Sequence, residues 1–274
     1  MSQPEQETQP PPAPGYGAPP VYQQAEPEEP ARLGPLQRLV GIIFSPVETF
    51  KDINRKPTWL IPMLIAILVS SAYFFFLTQK LEAGIEESVR KSMAEQAQQS
   101  GQPAPTPDKV EMGLLITKVS MVVGSVLGTP VVFLIVSGAF ALGMMLLGAQ
   151  TTFKKILSVV AWTFCAIPLI AYIVSAASLL LRDAESIREI NMQNIEQVSA
   201  TNLGAFMPAD TSPLLRSLAG SLDIFSFWSI ALLIVGLAAI AGKKGIKASS
   251  TATVVMGLWL AYVVVKAAMV AAFS

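Results

Sequence analysis

The sequence predicts an all-α integral membrane protein with five transmembrane helices, and three observations carry that expectation. Five uncharged runs, Pro57 to Gln79, Val119 to Phe153, Ile156 to Leu181, Ile224 to Gly242 and Ala248 to Val265, each reach about 18 residues or more. A helix rising about 1.5 Å per residue needs roughly 20 such residues to cross a hydrocarbon layer about 30 Å thick. Hydrophobic residues make up 52% of the chain and charged ones 14%, with a mean hydropathy of +0.53, a poor composition for a water-facing surface. The lysines and arginines gather in short stretches at alternate ends of the runs, as crossing segments require.

Composition also excludes classes of chemistry. The chain has no histidine and one cysteine, Cys165, inside the third run. Neither a disulfide framework nor a site of thiolate and imidazole ligands can be assembled from that set, and Cys165 is expected to be a buried, inert thiol. Zero net charge argues against a nucleic-acid binder. There is no Gly-Xaa-Ser-Xaa-Gly, no His-Glu-Xaa-Xaa-His and no phosphate loop, so no catalytic residue, metal ligand or cofactor site is assigned.

Residues 1–31 form the first unit. The first 30 contain nine prolines, five acidic residues and no lysine or arginine, a composition that buries too little apolar surface to offset the entropy of ordering, and a disordered tail is expected. No basic start followed by an apolar core precedes the first run, which is therefore expected to be a retained span.

Residues 32–56 are expected to form amphipathic juxtamembrane helices. Leu36, Leu39, Val40, Ile43 and Phe44 recur at helical spacing and give an apolar face flanked by Arg32 and Arg38, suited to the membrane interface or to a partner. Ser45-Pro46-Val47-Glu48 has the form of a helix start, with Ser45 as cap, Pro46 at the first helical position and Glu48 completing a capping box. Val47, Phe50 and Ile53 then point inward along a second short helix.

Residues 57–274 make the membrane domain. The second run, 35 uncharged residues, would extend about 52 Å as one helix, more than the roughly 40 to 45 Å of a whole bilayer. It predicts one long helix from about Val119 to Leu147, bent near Gly128-Thr129-Pro130, where a backbone hydrogen bond is lost. Two polar stretches separate spans. Leu81 to Gln99 is helix-forming and ends at a breaker from Gly101 to Pro107. Asp183 to Val198 reads as another helix with Ile187, Ile190, Ile195 and Val198 on one side, and Ser212-Pro213 opens a short third one that Gly220 closes.

Orientation follows from charge. Arg32, Arg38, Lys51, Arg55, Lys56, Lys154, Lys155, Lys243, Lys244 and Lys247 share one side of a five-span chain. That places the amino terminus in the cytoplasm of an inner-membrane protein and the carboxyl terminus outside. Small residues four apart mark helix contacts in lipid: Ser120, Gly124 and Gly128 form one row, Thr253, Gly257 and Ala261 another. They are expected to pack helices within one bundle, with a homo-oligomer interface as the alternative. Lys118 and Lys266 are the ionisable candidates near the spans, and both lie close enough to an end to snorkel.

Phe44-Ser45-Pro46-Val47-Glu48-Thr49-Phe50, just before Pro57-Thr58-Trp59-Leu60, together with Leu222-Asp223-Ile224-Phe225-Ser226-Phe227-Trp228-Ser229 at the start of the fourth run, resembles the Yip (Ypt/Rab-interacting protein) membrane family in its prokaryotic branch. The resemblance covers about Leu33 to Ser274. It implies one five-span helical domain behind a cytoplasmic tail. Eukaryotic members act as membrane scaffolds in vesicle traffic and bind Rab GTPases. The Asp-Leu-Tyr-Gly-Pro pattern of those members is missing here, so the resemblance extends to architecture rather than to a GTPase contact. The expected function is that of a non-enzymatic membrane organiser or interaction scaffold, whose partners are the lipid bilayer and an unidentified membrane or cytoplasmic protein. A channel, carrier or transporter accessory subunit is the alternative.

Overall fold

The computed structural model describes residues 32–191, 194–208, 211–242 and 246–273, and the proline-rich tail lies outside them. The described elements are helical. They are α1 (Pro35–Phe44), α2 (Pro46–Arg55), α3 (Leu60–Lys80), α4 (Glu82–Ser100), α5 (Pro107–Leu146), α6 (Phe153–Leu181), α7 (Ala184–Arg188), α8 (Pro213–Gly220), α9 (Ile224–Ile240) and α10 (Ala248–Phe273), with 3-10 turns at Ile195–Val198 and Leu203–Phe206.

Among the described residues, α3, α5, α6 and α10 are long and apolar enough to cross a membrane, with mean hydropathies of 2.1 to 2.3. The fourth run yields α9, 17 residues long, at the lower limit for a crossing. Its two ends are held at opposite ends of the bundle. Asp223 caps the amino end by accepting from Phe225 N (2.8 Å) and Ser226 N (3.2 Å), and it also receives Thr201 Oγ1 at 2.5 Å. At the other end, Ala241 O accepts from Gln150 N, in the connection between α5 and α6, at 3.0 Å.

The long helix is a single element of 40 residues, about 60 Å at ideal rise. It starts twelve positions before Val119, at Pro107, because the polar α4 folds back on its first turns. Leu81, Ile85 and Val89 pack there with Leu114, Leu179, Ile190 and Val198 in a cluster at the α4 end of the bundle. Near Pro130 the helix continues unbroken; Thr129 Oγ1 donates to Ser125 O at 2.7 Å.

The expected helix across Asp183 to Val198 is divided instead. Asp183 caps α7 by accepting from Ser186 N at 2.7 Å. Then Asn194 takes over local backbone groups, with Oδ1 accepting from Asn191 N (2.7 Å) and Nδ2 donating to Glu189 O (2.9 Å). Such side-chain bonds compete with helix continuation. The apolar positions nevertheless gather: Ile190 and Val198 are buried, with Ile187 and Ile195 against them. Ser212 and Gly220 bound α8 as expected, Ser212 Oγ accepting from Leu215 N at 3.4 Å.

The centre of the bundle is the first half of α6, where every residue from Ile156 to Thr163 is buried. A helix buried on all sides needs neighbours all round, and α1, α2, α3, α5 and α9 supply them. Polar side chains also bridge the spans. Ser71 and Ser125 join α3 to α5 at 3.0 Å. Tyr73 and Tyr172 stack between α3 and α6 with centroids 4.2 Å apart.

Candidate functional site

The α1–α2 hairpin combines a buried ion pair with an outward apolar face. It folds as a hairpin because helix α1 stops at Ser45 and Pro46 restarts the chain, Pro being favoured in a first turn. Ile42, Phe50 and Ile53, all fully buried, seat the hairpin on α6 and α9. The fit is close: a Cβ at Gly236 of α9 would come within 3.0 Å of Phe50 Cε1, so glycine is what lets α2 approach.

Inside this seat lies Arg38. Its Nη2 and Nε donate to Asp52 Oδ2 at 2.8 and 2.9 Å, and its Nη1 donates to Thr58 Oγ1 at 2.6 Å and to Lys56 O at 3.1 Å. Thr58 Oγ1 also accepts from Trp162 Nε1 of α6 at 3.3 Å. The two charged side chains are 3% and 4% exposed. Burial pushes the Asp52 carboxyl up, but the N–H of Arg32, the hydrogen bond and charge of Arg38 and the N–H of Leu33 outweigh it and hold the group below 3.8. The network therefore links α1, α2, the start of α3 and α6 through a permanent ion pair. A charge left alone in this buried site would be without water or a counterion, so neither partner can leave without the other.

The expected apolar face divides. Leu36, Val40 and Phe44 are 75%, 55% and 78% exposed, a stripe continued by Val47 at 48%. Leu39 packs against the core and Ile43 is half-buried. Ile42, outside the face expected from the sequence, is a fully buried anchor of α1, and Arg38 is internal rather than a flanking surface charge. The Leu39/Ile42 spacing of three residues is the signal that points to the inner face. Nothing in the spacing of Arg38 and Asp52 across two helices announces their pairing.

Ser45 stands at the N-cap position of α2, but its hydroxyl accepts no bond from the first turn. The capping box is absent: Glu48 pairs with Lys51 at 2.9 Å. The backbone explains this, because Ser45 is also the C-cap of α1, with its N–H donating to Gly41 O at 2.7 Å, and its φ of −145° and ψ of 57° lie outside the extended conformation of an N-cap. Its carbonyl instead accepts from Thr49 Oγ1 at 2.9 Å.

The small-residue rows do not hold the bundle together. A Cβ at Gly124, Gly128 or Gly257 would meet nothing within 4 Å, and Ser120, Thr253 and Ala261 are exposed. Association of α5 with its neighbours runs through other faces, such as Ser125 against Ser71 and Phe133 against Phe164. Where α5 meets α10, the close approach is at Gly143 against Val254.

Both lysines near the spans have structural partners. Lys118 Nζ pairs with Glu82 at 2.7 Å. Lys266 Nζ donates to Ser217 O (3.2 Å) and Ser221 Oγ (3.5 Å), tying α10 to the carboxyl end of α8, where a cation complements the helix dipole. Cys165 is 2% exposed among Ala66, Phe133, Leu157 and Ala161. Among the described residues no group of three or more acidic or cysteine side chains is placed to hold a metal ion.

The chain is 26% identical over 202 residues to the membrane protein YknW of Bacillus subtilis (strain 168), which covers 73% of this chain and 76% of that protein. No solved structure gives a significant match. The Yip1 domain matches residues 40–269, from within α1 to within α10, and with most of the chain matched this membrane protein belongs to the Yip1 domain family.

Proposed function

We propose that this Yip1 domain protein is a non-enzymatic membrane organiser with five crossings, working as an interaction scaffold through its cytoplasmic end. In this reading α9 is the fifth crossing, supported by the attachment of its ends to Thr201 and Gln150 at opposite ends of the bundle. An odd number of crossings then puts α1, α2 and the two lysine-bearing connections in the cytoplasm of an inner-membrane protein, where short basic stretches are favoured, and the carboxyl terminus outside.

The observation that carries the scaffold reading is the α1–α2 hairpin itself. It is fixed by the Arg38–Asp52 pair, yet it presents an outward apolar stripe. The lysines nearest the spans, Lys118 and Lys266, are engaged in holding α4 and α8 rather than set out along a path.

Two measurements test the proposal together. Photo-crosslinkers placed in the tail and in the 147–152 connection should give discrete protein adducts in native membranes, while one in the opposite loop, residues 101–106, should not. The purified protein in sealed liposomes should show no selective solute flux. Selective flux would replace the scaffold by a channel or carrier.

A further inference from the structure

The charge of the molecule is divided sharply between its two ends. The described residues at the α1 end, 32–59, 147–155, 241–242 and 246–250, hold eight lysines and arginines against two acidic residues. The described residues at the other end, 80–118, 182–191, 194–208 and 211–223 with Lys266, hold nine against eleven. One of the two acidic residues at the α1 end, Asp52, is consumed internally by Arg38, and the other, Glu48, is an exposed partner of Lys51. The surface of this end is thus cationic, with Lys51, Lys56, Lys154 and Lys247 exposed.

The exposed apolar stripe lies on the same hairpin as two of these cations. Leu36, Val40 and Phe44 fall at successive intervals of four along α1, and Val47 extends the stripe onto α2. An apolar ridge beside lysines is the pattern of an element immersed at the headgroup level, where the ridge enters the acyl boundary and the ammonium groups stay among the phosphates. A stripe facing water would be a liability. A stripe wholly within hydrocarbon would not carry lysines beside it.

We propose that the α1–α2 face and the adjoining basic connections form a docking surface for anionic phospholipid headgroups of the leaflet in which they lie. The inference rests on the cytoplasmic placement proposed above and names the chemistry that this end recognises: a phosphodiester monoanion held by lysines while its acyl chains cover Leu36, Val40 and Phe44. The opposite end, with its excess of carboxylates, has no such preference. Each cation near an anionic leaflet changes occupancy by about fivefold, so several acting together enrich anionic lipid around the hairpin. The protein thereby sorts lipid laterally, which gives physical content to a membrane organiser.

The test uses the full chain in nanodiscs of equimolar phosphatidylcholine and phosphatidylglycerol, with the lipids retained on gentle extraction counted by mass spectrometry. Phosphatidylglycerol should be enriched several-fold on the native protein. Combined Lys51→Gln, Lys56→Gln and Lys154→Gln should bring the ratio close to unity, while Lys80→Gln, Lys91→Gln and Lys109→Gln at the other end should leave it unchanged. Because those six lysines are exposed, the variants should melt with the native protein. A second measurement needs no variant: raising the salt from about 0.05 M to about 0.5 M shortens the screening length and should reduce the native enrichment. Enrichment that survives the first triple variant, disappears equally in the second, or ignores salt would overturn the proposal. Crosslinks to a cytoplasmic partner alongside an unbiased lipid ratio would sink this inference alone, whereas lipid enrichment with selective solute flux would sink only the scaffold reading.

Discussion

Arg38 and Asp52 stand fourteen residues apart and meet through two hydrogen bonds, at 2.8 and 2.9 Å, with both side chains almost wholly excluded from solvent. Ile42, Phe50 and Ile53 seat the hairpin on α6 and α9, and Thr58 Oγ1, accepting from Arg38 Nη1 and Trp162 Nε1, adds a polar tie to α6. The ion pair joins α1 to α2, and leaving one charge without the other costs about 3 to 5 kcal/mol. It holds the two helices of the hairpin together, so that the apolar anchors and Thr58 act on them as one unit.

Arg38→Met or Asp52→Asn alone should therefore release the hairpin, with a loss of stability of about 3 kcal/mol or more. Arg38→Met combined with Asp52→Leu should recover much of the loss. Hydrogen exchange across 35–55 and thermal unfolding in detergent check this, and exchange in the single variants that matches the native protein would count against the latch.

The pH dependence follows from the same pair. Asp52 is held below its ordinary value of 3.8, so its contribution is fully present above that value and is lost as pH falls through the lower folded value. Exchange protection of α1 and α2 should be flat from about pH 8 to about pH 5 and fall only in strong acid. A transition near neutrality would contradict the assignment.

Ser45 and Asp223 make a paired comparison of caps. Ser45→Ala removes no capping bond and should cost less than about 0.5 kcal/mol. Asp223→Ala removes the bonds to Phe225 N, Ser226 N and Thr201 Oγ1 and should cost about 1 to 2 kcal/mol. Protection measured across 47–53 and across 224–230 distinguishes the two. Equal losses would show that the Ser45 hydroxyl does cap α2.

Lys266→Ala should loosen α8 rather than alter a transport path. Loss of the bond to Ser217 O and of the dipole interaction should cost about 1 kcal/mol and raise exchange across 213–221, leaving α3 to α6 unchanged.

Much of the fold was legible in the sequence. The apolar runs mark the helices α3, α5, α6, α9 and α10, and length and the absence of charge suffice to single out α3, α5, α6 and α10 as able to cross a membrane. The start of α8 was legible from Ser212-Pro213, because capping is local chemistry. Long-range pairing was not. Arg38 looks like any flanking arginine, and only the turn between α1 and α2 brings it to Asp52. The division of the Leu36-to-Phe44 face depends on which side α6 occupies, and the outward position of Gly124, Gly128 and Gly257 depends on which faces of α5 and α10 meet neighbours. The Ser45 cap expected from the sequence does not form, because one residue has to end α1 and begin α2.

Sidedness across α9 tests the account most directly, because the cytoplasmic placement of α1, α2 and the basic connections depends on it. In a Cys165→Ala background, single cysteines at Thr211 and Lys247, before and after α9, should react with an impermeant maleimide from opposite faces of sealed membranes. A cysteine at Ser2 should react from the same face as the one at Lys247. Labelling of Thr211→Cys and Lys247→Cys from a single face would contradict the fifth crossing and the orientation built on it.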